Sequence, residues 1–223
     1  MKGENAQKRA LALYHKAVLY KEKNQVDKAL TYYLQASEEV KLSEDYRLAY
    51  LIYSHVGMIY AHRKLHEYSV KFCKKANEYA LMSNNNYYIV ESYNCLARCY
   101  TANGSNEEAI MFYDKAIEIG KLSNEKKVLT SSIHEKMAVY MSEKKNEEAL
   151  RISKMLDHSQ LSLAGNLTIG RLLYNMNKLD SAYYYLNKAL QSDNIYTKRG
   201  AYQVLFNLSK KQEDYKRNAE YSV

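Results

Sequence analysis

Few residues of this 223-residue sequence carry chemistry, and they fall into small sets. Asn94, Arg98, Arg171 and Asn207 hold the recognition chemistry: an asparagine amide can pair with both the N–H and the C=O of an extended peptide, and an arginine can grip a carboxylate through two parallel bonds. The plainer reading makes them ordinary polar residues of helix surfaces. His62 and His66 are four apart, with His55 upstream, a spacing that can put two ring nitrogens on one helical face for a metal. No third ligand follows nearby, so a surface or packing role is expected and no metal. Cys73, Cys95 and Cys99 are odd in number and form no CxxC. The pair four apart shares one helical side at a distance unsuited to an intrahelical disulfide, so all three read as thiols buried in a core, compatible with a reducing compartment. His134 and Glu135 make no catalytic set by themselves. The chain contains no glycine-rich phosphate loop, GxSxG or HExxH, and the expectation is a protein that is not an enzyme and needs no cofactor.

The elements that position these residues are helices. The sequence has no proline and only 7 glycines, 47% hydrophobic residues and 26% charged ones, a composition that favours an all-α fold with a sizeable core over sheets and their turns. Its 24 tyrosines are expected at packing positions. The formal charge of +8 invites a nucleic-acid partner, yet lysine pairs such as Lys74-Lys75 and Lys126-Lys127 are interrupted by Glu and Asp. A solvated surface is the better reading, and no nucleic acid is expected. The start MKGENAQKRALALY lacks the apolar stretch of a signal peptide, and no run approaches the roughly 18 apolar residues that cross a bilayer.

The organisation is repetitive. Ala29, Ser69, Ala109 and Ala149 are forty residues apart; so are Tyr20, Tyr60, Tyr100 and Tyr140, and Ala36, Ala76, Ala116 and Leu156. Ser43, Ser83 and Ser123 keep the interval, each after Leu42, Met82 or Leu122, where a hydroxyl can cap the following helix. The stretch Val90 to Gly120 shows the unit best. Val90, Tyr93, Leu96, Ala97 and Tyr100 share one helical face, Gly104 breaks the helix, Asn106 offers an N-cap oxygen, and Ala109, Ile110, Phe112, Tyr113, Ala116 and Ile117 form a second apolar stripe.

Tyr93, Leu96, Ala97, Tyr100, Ala109, Tyr113 and Ala116, with their counterparts in the first two units, resemble the tetratricopeptide repeat family, whose unit is a helix pair. The resemblance runs from about Ala10 to Val223 and implies an all-α, right-handed superhelical solenoid of antiparallel helix pairs, read as one domain. Its six units are approximately 10–43, 44–83, 84–123, 124–159, 160–192 and 193–223, the last incomplete and carrying Phe206, Tyr215 and Asn218. The family's usual period is 34 and its repeat-end proline is missing here, so the helices should be longer; six extra residues are about 9 Å of helix. Asp157 to Ser162 is a candidate bend. Longer pairs resemble the repeat regions of bacterial peptide-sensing regulators, and the tyrosine-rich texture resembles Bacteroidetes sensor-like proteins.

The resemblance further implies that first helices line a groove for a protein or peptide ligand, with Glu91, Asn94, Arg98, Thr101, His134, Arg171, Tyr174 and Asn207 pointing into it. Tyr14 and Val18 stand where a clamp for acidic chaperone tails would begin, so that clamp is not expected. The expected function is a non-enzymatic protein- or peptide-binding module of a larger protein. Its alternatives are the ligand-sensing region of a signalling or transcriptional regulator, and a nucleic-acid binder. Compartment and oligomeric state are left open; the chain reads as cytoplasmic as written, and as extracytoplasmic if a leader and an anchor flank it.

Overall fold

The computed structural model of the chain describes residues 2–157 and 161–220, with side chains from 3 to 213 apart from that gap. Among the described residues there are eleven helices and no strand. They are α1 (Lys2–Glu22), α2 (Val26–Val40), α3 (Tyr46–His62), α4 (His66–Met82), α5 (Asn86–Ala102), α6 (Asn106–Leu122), α7 (Lys126–Ser142), α8 (Asn146–Ser153), α9 (Leu163–Asn175), α10 (Leu179–Ala189) and α11 (Ile195–Glu220). The forty-residue period has a simple origin. From α3 to α7 every helix is 17 residues long and every connection three, so two helices and two turns make one unit.

The middle residue of these turns is left-handed. Asn24, Lys64, Gly104 and Lys144 have φ of 57°, 58°, 78° and 60°, forty residues apart, and Asn84 and Asn124 recur between them. In the turn after α5, the Gly104 amide donates to the Thr101 carbonyl and the Ser105 amide to that of Tyr100, both at 3.0 Å. This is the Schellman closure of a helix end. The same long bond reaches Tyr20 from Gln25, Tyr60 from Leu65 and Tyr140 from Lys145. The tyrosine column is therefore also the column whose carbonyls end each first helix.

The chain divides into two compact units, Met1–Ser132 and Ile133–Val223. In the first, α1 packs on α2, α3 on α4 and α5 on α6, while α2 meets α3, α4 meets α5, and the first helices α3 and α5 touch. Ala29, Ser69 and Ala109 are completely buried, as are Ala36, Ala76 and Ala116, which lets the paired backbones approach closely. Tyr33 and Tyr113 fill the space between pairs at 0% and 2% exposure. In the second unit α9 pairs with α10, α11 packs on both, and α8 meets α9. Ala149, Ala182 and Ala189 are among the buried small residues there, and Leu186 lies against Gly170.

Three expectations are corrected. Ser43, Ser83 and Ser123 do not cap the next helix; their hydroxyls donate backwards to the carbonyls of Val40, Ala80 and Ile119. A hydroxyl at or just past a helix end meets the unpaired carbonyls there first. The caps come instead from Asp45, whose carboxylate accepts from the Leu48 amide, and from Asn85, whose amide oxygen accepts from Tyr87 and Tyr88. Asn106 is likewise the first residue of α6 rather than its cap, which is Ser105. Finally, the sixth unit has no turn: α11 runs unbroken to Glu220, so Phe206, Tyr215 and Asn218 ride on one helix. In the candidate bend, α8 ends at Ser153 and α9 opens on the Ser162 cap; His158, Ser159 and Gln160 lie outside the described residues.

Candidate functional site

Helix α5 turns its apolar stripe, with Val90, Leu96 and Ala97 buried, into the first unit's core. Its remaining side carries Glu91, Asn94, Arg98 and Thr101, and the structure treats the four differently. Thr101 is used locally, its hydroxyl donating to the Ala97 carbonyl at 3.0 Å. Glu91 and Arg98 form an ion pair at 3.6 Å, with side chains 22% and 33% exposed. Asn94 is completely buried, and neither its amide nitrogen nor its amide oxygen has a hydrogen-bond partner. Burying an amide without a partner costs about 1–3 kcal/mol, so this side chain is held at the expense of stability.

A residue absent from the sequence reading joins them. Tyr50 on α3 is 6% exposed, and its ring is 5.4 Å from that of Tyr88. Burial first, then the charges of Cys95 and Glu91, lift its hydroxyl well above the usual phenol range against the pull of Arg98. Tyr50 thus stays neutral beside the Glu91–Arg98 pair. It stands forty residues before Val90, so the register marked it only as a packing position.

The other four expected groove residues belong to the second unit. His134 of α7 lies over Gly165 of α9, where a Cβ would come within 2.9 Å of its Nε2. Arg171 of α9 reaches across α11, its Nη2 3.1 Å from the position of a Cβ on Gly200. Tyr174 stacks under the Lys211 ammonium at 5.2 Å. Asn207 is exposed, seven residues after Gly200 and four before Lys211, and so shares their side of α11. Arg171, Tyr174 and Asn207 are therefore gathered on the α9–α11 surface.

The histidines do not assemble. His62 ends α3 and His66 begins α4. His55 packs between aromatic rings, 5.9 Å from Tyr14 and 5.0 Å from Tyr33. The cysteines do assemble, which corrects the reading of separate buried thiols. Cys73 of α4 is joined to Cys99 of α5 as a disulfide, and the Cys95 sulfur is 3.3 Å from that of Cys73. The register holds the signal that was missed: Cys73 and Cys95 stand forty residues after Tyr33 and His55, a pair that also touches.

These features define a class, a module of stacked helix pairs that presents the sides of its first helices. The tetratricopeptide repeat family profile matches residues 10–38 and 90–119, the α1–α2 and α5–α6 pairs, and the helix-pair fold is that of tetratricopeptide-repeat proteins. Comparison with curated proteins finds no match. Among solved structures it is similar to the nearly identical repeats of a kinesin light chain from Podosopora anserina, at 17% identity and TM-score 0.65, over 81% of this chain and 93% of that one. It is similar to aspartyl phosphate phosphatase F from Bacillus subtilis, at 13% identity and TM-score 0.72, over 97% of this chain and 63% of that one. NprR in complex with its cognate peptide NprX is similar at 18% identity and TM-score 0.62, over 95% of this chain and 64% of that one. The chain thus spans less than two thirds of these last two proteins, and at such identities the likeness concerns the fold. No helix among the described residues is long and apolar enough to cross a membrane.

Proposed function

We propose that the chain is a non-enzymatic module that binds a protein or peptide ligand through the first-helix face of its helix pairs, with Asn94 as the central contact. The observation that carries this reading is the unpartnered Asn94 amide, whose donor and acceptor match the N–H and C=O of an extended peptide backbone once the side chains that cover it completely move aside on binding. Glu91, Arg98 and the neutral Tyr50 hydroxyl surround it with groups able to meet a ligand's charged end. Support by likeness comes from NprR, a similar fold solved with a peptide. In the second unit, Arg171, Tyr174, Asn207 and His134 are proposed as further contacts. The same likeness favours, as the second reading, the sensing part of a larger regulator.

The test separates ligand binding from folding. Peptides selected from a displayed random library on the wild-type chain are measured against Asn94→Leu. Replacing an unsatisfied buried amide by an apolar side chain of similar size is neutral or stabilising, whereas losing two backbone hydrogen bonds costs about 1–3 kcal/mol, roughly 10- to 100-fold in affinity. The expected result is an unchanged or raised melting temperature with weakened peptide binding. Selected peptides that bind Asn94→Leu as well as wild type would refute the proposal.

A further inference from the structure

Cys73, Cys95 and Cys99 are the only group among the described residues with three potential metal-ligating atoms close together: their sulfurs lie within 4.8 Å of one another, at 0%, 1% and 0% exposure. The repeat register explains how they meet. One unit earlier the same three positions hold Tyr33, His55 and Ile59, and those residues pack together in the same way. One unit later they hold Tyr113, Glu135 and Val139. Only in this unit are all three positions sulfur. We propose that the reduced cluster is a three-thiolate site for a soft d10 metal ion of the copper(I) type.

Three points carry the assignment. The donors are thiolates alone, which select soft ions, and no histidine or carboxylate joins the group to complete the tetrahedron that zinc prefers. The surroundings, Ala61, Leu96, Met58, Val70, Tyr93 and Phe112, exclude water and suit a low-coordinate soft ion. The third point is the helix spacing. The Cα atoms of Cys73 and Cys99 are 7.3 Å apart, beyond the roughly 4.4–6.8 Å that disulfides usually span. Packing sets that separation, because α4 already rests on α3: a Cβ on Gly57 would lie 3.1 Å from the Cys73 nitrogen. Metal–sulfur bonds of about 2.3 Å join sulfurs about 4 Å apart, a wider span than a disulfide makes, which suits this separation in the reduced state. The Cys73–Cys99 disulfide is the oxidised state of the site, in which Cys95 alone keeps a thiol. On metal binding each ligating thiol gives its proton to solvent, so uptake is linked to folding and to pH.

The full chain, reduced with a water-soluble phosphine under nitrogen and desalted, is titrated with copper(I) held by the chromophoric chelator bicinchoninate, with zinc(II) in a parallel arm. One copper ion per chain leaves the chelator, with a new sulfur-to-metal charge-transfer absorption. Cys95→Ser weakens uptake by about 100-fold or more, since even changes around a ligand cost 10- to 100-fold. Cys99→Val, which places the residue of Val139 at the equivalent position and so preserves packing, does the same with its far-ultraviolet circular dichroism unchanged. The proposal is overturned if wild type and Cys99→Val withdraw copper equally, if neither withdraws any, or if zinc displaces copper from the reduced chain.

Discussion

His55 shows how one side chain can make this protein sensitive to acid. Burial against Tyr14 and Tyr33, with the Lys21 charge adding to it, brings its imidazole down from the ordinary 6.5 to about 4. Between pH 6.5 and pH 4 the unfolded chain therefore binds a proton at this ring and the folded chain does not. Stability present above pH 6.5 falls as pH drops through that window, by at most about 3 kcal/mol. Melting temperature measured from pH 7 to pH 4 should decline, and His55→Phe, which keeps a ring between the two tyrosines, should flatten that decline. An equal slope in the variant would assign the loss to other groups. The position was legible only in part. Sequence spacing grouped His55 with His62 and His66, and which neighbours enclose it depends on α1 and α2, one unit away. The sulfur cluster teaches the same lesson, since contact between Cys73 and Cys95 follows from the register only when Tyr33 and His55 are known to touch.

At the scale of the helix and its turn, two glycines do opposite things. In Gly104 the constraint is the backbone: φ is 78°, and a Cβ would meet nothing within 4 Å. Gly104→Ala should cost about 1 kcal/mol through left-handed strain alone, and urea titration should show that loss with an unchanged slope. Lys64 and Lys144 already bear this strain in the equivalent turns. Gly57 is the converse, an ordinary helical residue where alanine alone would favour the helix by about 1 kcal/mol. Packing reverses the sign. A Cβ there would meet the Cys73 sulfur at 2.5 Å, the Cys73 nitrogen at 3.1 Å and the Ser69 carbonyl at 3.3 Å. Gly57→Ala should destabilise by about 1–3 kcal/mol, read by thermal melting; a stabilised variant would mean that α3 and α4 are not held as tightly as their contacts indicate. Helix existence and pairing were readable from the alanine and tyrosine columns because close backbone approach tolerates few residue types. The caps were not, because Ser43, Ser83 and Ser123 could bond forwards or backwards, and only the three-residue turn decides which carbonyl is nearer. The continuity of α11 was hidden too, since nothing between Phe206 and Tyr215 distinguishes a long helix from two short ones.

Over the whole chain, repeat structure makes stability a sum of neighbour contacts rather than a single property. The unit Met1–Ser132 contains the regular 17-residue helices α3 to α6, with core clusters running from Ala10 to Ala80 and from Ala61 to Cys99. The unit Ile133–Val223 relies on α8, α9 and α10, of 8, 13 and 11 residues. Short helices bury less per turn and gain little from propensity below about 12–15 residues, so their persistence depends on neighbours. The backbone amides of α8 and α10 are therefore expected to exchange with deuterium through openings of lower free energy than those of α3 to α6. Native-state exchange followed by mass spectrometry at rising urea should show α8 and α10 reaching full exchange first, while α4 and α5 keep protection until global unfolding. Uniform protection across all these helices would mean that the chain opens as one cooperative body. In that event local helix length would have no bearing on which part yields first.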